Sequence, residues 1–232
     1  AGGGRKDLVK RYDKFVEETL AEAGLSSPSE SEDEREDEEA KDHPTLVMVD
    51  ESTGNRYMRM VDHKGLGKKD EGVWLVKDIH AELKSWGYPG GGRNKLILKS
   101  DGEPAMVSLR EAVAKMHGGD ITPEQPPKGE HQSNGTIEGA GRSVRDMARV
   151  LKIQVESKIR RQVEMAGPIM KWLVRWAAMC LSRYKVGKDK KTAYERQTGR
   201  PCKSDVLPFG ERVWFRRLKA DSDKKASMDT RW

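Results

Sequence analysis

Three acidic residues lie where predicted elements of secondary structure begin or end. Asp50 follows the apolar run 45–49, and Asp101 follows the apolar run 96–98, directly before a Gly-x-Pro that stops a strand. Thirty-six residues separate Asp101 from Glu138, which stands at the start of a long helical pattern. Mg²⁺ prefers carboxylate oxygens, and acids held by a rigid scaffold can place two ions on either side of a phosphate. The pattern predicts phosphoryl-transfer chemistry, with Asp50, Asp101 and Glu138 as catalytic and metal-binding residues.

Each of these acids also has a structural interpretation. An aspartate at a strand end often caps a turn, and a glutamate in the first turn of a helix complements the helix dipole. Asp62 and Asp78 compete with Asp50, and Glu130 competes with Glu138. Asp50 is favoured over Asp62 and Asp78 because it alone of the three follows a clean apolar run. Glu138 is favoured because it heads the long helix directly after a polar loop.

A row of basic residues continues from Glu138 along the same predicted helix. At about 100° per residue, four of them fall within about 40° of one line through Glu138, on a face separate from the apolar stripe. These are Arg142, Arg145, Arg149 and Lys152. Acidic partners are missing at most helical spacings, so the row predicts contact with a nucleic-acid backbone; a solvated charged face is the alternative. The preceding loop adds polar candidates for DNA contact: His131, Gln132 and Asn134.

Charge is distributed unevenly along the 232 residues. Residues 1–42 contain 7 Lys or Arg and 14 Asp or Glu, whereas residues 43–232 contain 37 and 24. A basic folded part favours a polyanionic partner. The acidic run 30–42 predicts a disordered linker, and the apolar spacing within 8–23 predicts a short helix before it. We interpret the run as an inert linker, with a regulatory role as the alternative.

The cysteine content and the apolar runs indicate the cellular environment of the protein. Cys180 and Cys202 form neither a disulfide framework nor a metal-ligand spacing, which favours a reducing, intracellular environment and no structural zinc. The run 172–181 is too short to span a bilayer, and the first residues have no signal-peptide pattern. The chain begins without Met and is typical of a piece of something longer.

Periodicity and breakers predict a mixed α/β or α+β domain. The predicted strands are 46–50 and 57–61, joined as a hairpin by a turn around Thr53-Gly54-Asn55, then 73–76, the strand that ends at Asp101, 121–122 and 206–215. The predicted helices are 79–86, 108–116, 138–158 and 168–184.

With these residues in place, the chain resembles the catalytic core of retroviral and retrotransposon integrases over roughly residues 43–215. The likeness rests on the strand-end Asp50, on Ser-Asp-Gly-x-Pro at 100–104 and on Asn-Gly-x-x-Glu at 134–138. Two downstream segments, 192–200 and 208–214, are similar to the segments that come after the core in such elements. The Asp101-to-Glu138 gap is close to that of the family's Asp, Asp, Glu signature.

The resemblance implies a ribonuclease H-like α/β fold, in which a mixed five-stranded sheet is flanked by helices. Residues 1–42 would be a short helix and a disordered acidic N-terminal linker. Residues 43–200 would form the integrase-like core. Residues 201–232 would be a C-terminal extension, compatible with the start of a small β module.

The implied activity is that of a retroelement integrase: metal-dependent processing of DNA 3′ ends, followed by strand transfer that joins element DNA to target DNA. Asp50 would bridge two Mg²⁺ ions, with Mn²⁺ as a substitute, and Asp101 and Glu138 would each complete one site. The implied partners are element ends, target DNA and further copies of the chain, in the nucleus and without a membrane. The alternatives are a ribonuclease H-like nuclease and a catalytically dead DNA-binding or assembly remnant.

Three features depart from the family pattern. The zinc-binding His/His/Cys/Cys module that often precedes such cores is absent from this sequence. Glu51 adds charge directly after Asp50. Gly139 and Gly141 weaken the helix behind Glu138, each by about 1 kcal/mol relative to alanine.

Overall fold

The computed structural model describes residues 44–67, 69–91, 95–118, 121–125 and 135–213. The predicted helix in 8–23 and the acidic linker 30–42 lie outside them. The described chain is a mixed α/β structure, as expected. Its elements are β1 (Thr45–Val49), β2 (Arg56–Met60), α1 (Lys69–Ser85), β3 (Leu96–Lys99), α2 (Pro104–His117), β4 (Ile121–Glu124), α3 (Gly135–Ile159), α4 (Pro168–Tyr184) and α5 (Ala193–Thr198).

Strands β1 and β2 form the predicted antiparallel hairpin. Thr45 pairs with Met60 at one end, and Val49 pairs with Arg56 beside the turn. The turn closes with a hydrogen bond of 2.7 Å from the Gly54 amide to the Asp50 carbonyl. Gly54 has φ +79°, a left-handed conformation that side chains with a Cβ rarely adopt. A glycine at this position therefore fixes the register of the hairpin.

Both faces of the hairpin are buried. Successive side chains of a strand point to opposite sides, so neighbouring residues of the hairpin belong to different hydrophobic clusters. Met58 and Met60 belong to one hydrophobic cluster with α3 and α4, whose fully buried members include Val144 and Leu173. Tyr57, which precedes the two methionines, belongs to a second cluster with residues of α1 and α2. The hairpin is the middle layer between two pairs of helices.

Strands β3 and β4 form a second, parallel pair. Leu96 is opposite Ile121 and Lys99 is opposite Glu124, and α2 makes the crossover that parallel strands need. Strand β3 joins the cluster that covers the Tyr57 face of the hairpin. The expected five-stranded sheet is not confirmed, because the described residues contain four strands in two separate pairs.

The predicted strand at 73–76 is wrong, since these residues lie inside α1, which begins at Lys69. A short run such as Val-Trp-Leu-Val fits a strand or a helix equally well. Leu75 and Ile79 are buried, as is Leu83 one further turn along, whereas Val73 and Trp74 are about half exposed. Helical spacing of the buried residues therefore overrides the local β preference.

Helices α3 and α4 confirm the two strongest helical patterns. Gly141 is buried where α3 crosses β1, and a Cβ there would make ordinary van der Waals contact with the Val47 methyl at 3.7 Å. Helix α4 begins with Pro168, whose fixed φ suits a first helical turn. In the described part of the chain, no helix has the length and apolar character needed to cross a membrane.

The predicted strand at 206–215 is also wrong over its described part, 206–213, which is irregular. Pro208 accepts a hydrogen bond of 3.1 Å from the amide of Glu211, and Gly210 has φ +73°, so the chain turns here. Phe209 is buried against Trp172 and Trp176 of α4. The anchored Phe209 and an ion pair of Glu211 with Lys158 at 3.1 Å, rather than strand pairing, hold this segment.

Two histidines join α1 to α2. The Nδ1 atoms of His80 and His117 lie 3.3 Å apart, and their rings meet edge to face at 5.3 Å. His117 is only 4% exposed. Burial, then the electrostatic effect of the neighbouring His80 and Lys84, hold the pKa of His117 below its ordinary value of 6.5. The folded protein therefore favours the neutral imidazole.

We predict that His117 makes stability depend on pH. The unfolded chain binds a proton at His117 as the pH falls through about 6.5, whereas the folded protein resists it, so stability is present above that pH and lost below it. Urea unfolding between about pH 8 and pH 5.5 should show a larger loss in the natural protein than in His117→Gln, which cannot titrate. Equal losses would contradict the assignment.

Candidate nucleic-acid site

Asp50 begins the turn between β1 and β2, and its carboxylate accepts several hydrogen bonds. Oδ1 accepts from the Ser52 amide at 3.0 Å, the Ser52 hydroxyl at 2.8 Å and the Tyr88 hydroxyl at 3.3 Å. Oδ2 accepts from the Thr53 hydroxyl at 2.6 Å. Local bonds of this kind are how aspartate organises turns. Asp50 is thus the centre of the hairpin turn and ties it to Tyr88, beyond the end of α1.

Helix α5 holds the same turn from the other side. Gln197 accepts a hydrogen bond of 2.7 Å from the Asn55 side chain, and Arg196 donates one of 2.7 Å to the Thr53 carbonyl. Arg196 also pairs with Asp189 at 2.6 Å, and this hydrogen-bonded pair keeps the pKa of Asp189 well below its usual range. This role of 192–200 was not predicted from the sequence. Its available signal was Thr192 as N-cap, which accepts from the Glu195 amide at 3.1 Å.

Asp101 and Glu138 are placed differently from Asp50. Asp101 is exposed and lies between the end of β3 and the start of α2, as expected of a residue after a strand. Glu138 is exposed in the first turn of α3. Beside Asp101, Arg110 fixes the end of the β3–β4 pair by donating to the Ser100 hydroxyl at 3.2 Å and to the Glu124 carbonyl at 3.1 Å.

The three predicted acids do not form a metal site in this structure. No group of three His, Cys, Asp or Glu side chains among the described residues is arranged to hold an ion, and Asp50, Asp101 and Glu138 are all described. Both carboxylate oxygens of Asp50 are already occupied by turn donors. The residues present therefore do not fit two bridged Mg²⁺ ions.

The competing acids have structural partners. Asp62 pairs with Lys171 at 2.5 Å. Asp78 accepts from the Tyr57 hydroxyl at 2.6 Å and from two nitrogens of Arg59 at 2.7 Å and 3.0 Å. Burial alone would raise the pKa of Asp78, but the Arg59 and Tyr57 hydrogen bonds lower it below its ordinary value. Glu130 lies outside the described residues.

The predicted basic row divides into two parts. Arg142 and Arg145, nearest Glu138, are exposed. The other two are partly buried and paired with acids of their own helix: Arg149 lies 3.3 Å from Asp146, and Lys152 lies 3.1 Å from Glu156. The expectation that acidic partners are largely missing therefore holds better for the first half of the row. His131, Gln132 and Asn134 lie outside the described residues.

Lys185 was not among the residues predicted from the sequence. It adds a cation at the end of α4, next to the exposed part of the basic row on α3. Its ammonium lies 3.5 Å from the Ser143 hydroxyl on α3. Partial loss of hydration, then the charge of Arg56, lowers the pKa of Lys185, and Asp146 opposes the shift. Three exposed lysines follow it: Lys188, Lys190 and Lys191. The Lys-rich spacing at 185–191 was the signal for this part of the surface.

Comparisons with known proteins give structural neighbours only. No family model matches the sequence, and no curated protein matches it. The catalytic core domain of BIV integrase is 18% identical and aligns over 67% of this chain and 85% of its own, with a TM-score of 0.44. The HTLV-2 integrase catalytic core domain in complex with magnesium is 12% identical over 67% and 84%, with a TM-score of 0.45.

A chain of the simian T-cell lymphotropic virus intasome, solved with PP2A regulatory subunit B56 gamma, is 13% identical over 76% of this chain and 54% of that chain, with a TM-score of 0.47. The chain resembles retroviral integrase catalytic cores.

We predict that Asp50→Asn destabilises the protein. The amide cannot accept at both positions, so Thr53 or Ser52 loses its acceptor, at a cost of about 1–3 kcal/mol in the free energy of unfolding. Glu51→Gln, at the exposed neighbouring position, should change it by less than about 0.5 kcal/mol. Urea unfolding without metal measures both. A more stable Asp50→Asn protein is the outcome for a carboxylate crowded into a metal pocket, and would overturn the turn assignment.

Proposed function

We propose that this chain is the integrase-type domain of a retroelement and acts on DNA as a polynucleotidyl transferase. Its reaction would be processing of DNA 3′ ends and transfer of the resulting hydroxyl into target DNA. The observation that supports the proposal is a group of neighbouring cations. Arg142 and Arg145 lie on α3, the helix that carries Glu138, and the group continues in the loop 185–191, where Lys185 contacts Ser143 of α3. We call this group the basic surface.

Electrostatics favours a polyanion on the basic surface. Arg56 and Lys185 are close enough for the arginine to lower the pKa of the lysine, and Asp146 is the acid that opposes this shift. A phosphate between such cations relieves their repulsion and releases counterions. A nucleic-acid backbone supplies phosphates at regular spacing, which suits a surface that runs along a helix and a loop.

The reacting centre in this proposal uses Asp101 and Glu138. Both are exposed acids at the ends of elements, accessible to a substrate, and neither is consumed by a turn network of the kind that holds Asp50. Mg²⁺, with Mn²⁺ as a substitute, is the cofactor that the sequence resemblance implies. Because the three acids do not fit a two-metal site, Asp101 and Glu138 are proposed as catalytic carboxylates and not as a completed metal centre.

The remaining expectations belong to the same proposal. Residues 43–200 would be the core of a ribonuclease H-like fold with a five-stranded sheet, preceded by the acidic segment 1–42 and followed by the extension 201–232. The domain would be part of a retrotransposon polyprotein and would work as a homo-oligomer on element and target DNA in the nucleus.

A second candidate is a non-catalytic DNA-binding or assembly remnant of such a domain. The hydrogen-bonded state of Asp50 favours it, because a carboxylate with both oxygens engaged is a poor ligand for bridging ions. A ribonuclease H-like nuclease is the other alternative; it would hydrolyse nucleic acid without joining it.

We predict that Asp101→Asn and Glu138→Gln each lower strand transfer from a preprocessed DNA end by about 10²-fold or more, because an amide can neither accept the proton of the attacking oxygen nor hold a divalent ion as a carboxylate would. Affinity for DNA should change little, since neither residue belongs to the basic surface. Glu111→Gln, an exposed acid on α2, is the matched control. Cleavage without joined product in the natural protein would identify a nuclease, and no product of either kind would identify a remnant.

We predict that Arg142→Gln with Arg145→Gln flattens the salt dependence of DNA binding. Each lost phosphate contact reduces the slope of log K against log salt by about 0.9, so the pair should reduce it by up to about 1.8. Arg149→Gln with Lys152→Gln removes the same charge from the same helix, but from residues already paired with Asp146 and Glu156, and should reduce the slope less. Fluorescence anisotropy across a salt series measures both, and equal slopes would contradict the division.

A further inference from the structure

A groove of about 580 Å³ lies at the opposite end of α4 from the basic surface. We call it the tryptophan groove; its apolar walls are Val61, Leu66, Trp74, Ile169 and Trp172. Trp172 is 70% exposed, Trp74 51% and Ile169 44%. Large apolar side chains grouped in a concave surface mark a binding site, because each contributes to affinity when it is covered.

The walls of the groove are held in place before anything binds. Trp172 packs edge to face on the buried Phe209 at 6.2 Å. Trp74 lies under the guanidinium of Arg59 at 5.4 Å, and Arg59 is in turn fixed by two hydrogen bonds to Asp78. A preformed apolar surface binds at a lower entropic cost than one that must be ordered first.

The N-terminal part of the chain enters the fold at the rim of this groove. The carbonyl of Pro44 accepts a hydrogen bond of 2.9 Å from the amide of Val61, and Thr45 pairs with Met60. Both Met60 and Val61 line the groove. Residues before Pro44 are therefore tethered to its edge.

The tethered sequence has the composition of a groove ligand. Five apolar side chains recur at roughly helical spacing within 8–20: Leu8, Tyr12, Phe15, Val16 and Leu20. The composition of the 23 residues between Leu20 and Pro44 predicts a linker with a span of about 25–30 Å, which gives an effective concentration on the order of mM beside the tether. Within them, 30–42 contains nine acidic and two basic residues.

Charge at the rim is compatible with that acidic stretch. Lys64, three residues after Val61, has a 68% exposed side chain 3.6 Å from Glu103, and Lys171 lies in the groove wall beside Asp62. Both lysines lie near Val61, which binds the Pro44 carbonyl, so carboxylates that precede Pro44 in the sequence can meet positive charge at the groove.

We propose that the tryptophan groove is the intramolecular docking site of the chain's own apolar segment 8–20. The apolar side chains of the segment cover Trp74, Ile169 and Trp172, and the acidic stretch between the segment and Pro44 runs along the lysine-bearing rim. This is an interaction surface in its own right. It does not depend on whether the basic surface binds DNA or whether Asp101 and Glu138 are catalytic.

The test is disulfide trapping in the full chain. Phe15→Cys is combined with Ile169→Cys in the groove or, as the matched control, with Lys188→Cys. Both partner positions are exposed, and they lie towards opposite ends of α4, which extends about 22 Å from position 169 to Tyr184 at 1.5 Å per residue. The native Cys180 and Cys202 are buried and should not compete.

On mild oxidation of dilute protein, we expect the Phe15→Cys and Ile169→Cys pair to close within one chain at least tenfold faster than the control pair. Replacing Leu8 and Leu20 by serine in the same background should bring the rate down to that of the control. Equal rates for the two pairs would mean random collision and would overturn the proposal. Cross-linking that joins two chains and falls on dilution would overturn it in favour of an interface between copies.

Discussion

Burial of both faces of strand β2 is the constraint on which the rest of the structure depends. Met58 and Met60 point towards α3 and α4, and Tyr57 beside them points towards α1 and α2. Tyr57 is fully buried, and its hydroxyl must therefore find a partner, which is Asp78 at 2.6 Å. That bond, with the Arg59 pair on the same carboxylate, fixes how α1 lies against the hairpin. One short strand thus sets the positions of the helices on both sides.

The turn of this hairpin shows how a carboxylate can look catalytic in sequence and be structural in space. Asp50 follows an apolar strand and is half buried, as a metal-binding aspartate would be. Its oxygens are instead satisfied by Ser52, Thr53 and Tyr88, and α5 closes over the turn through Arg196. A carboxylate withdrawn from water needs partners whatever its role. Here the protein itself provides them, so the hairpin turn, Tyr88 and α5 form one joined unit.

Helix α4 separates two surfaces of opposite chemical character. Its first residues carry Ile169 and Trp172 into an apolar groove, and its last turn leads to Lys185 and the lysine-rich loop. The buried middle, with Leu173 and Ala177, packs against the hairpin and α3 and keeps the two ends apart. A surface that binds phosphates needs hydrated cations, whereas a docking groove needs desolvated apolar walls. The separation lets both exist on one small domain.

The sequence by itself determined the helices α3 and α4, because their apolar spacing is long enough to exclude other periods. It also determined the hairpin, because the turn residues at 53–55 separate two short apolar runs. It also located the exposed acids Asp101 and Glu138 at element ends. It could not place 73–76, since four apolar residues fit a strand or a helix until packing against the hairpin selects one. Only the tertiary structure decided the role of Asp50, because Tyr88 stands 38 residues away in sequence and its hydroxyl reaches the carboxylate only after α1 has packed. Local pattern fixes which face of an element is buried; contacts between distant residues fix what its polar groups do.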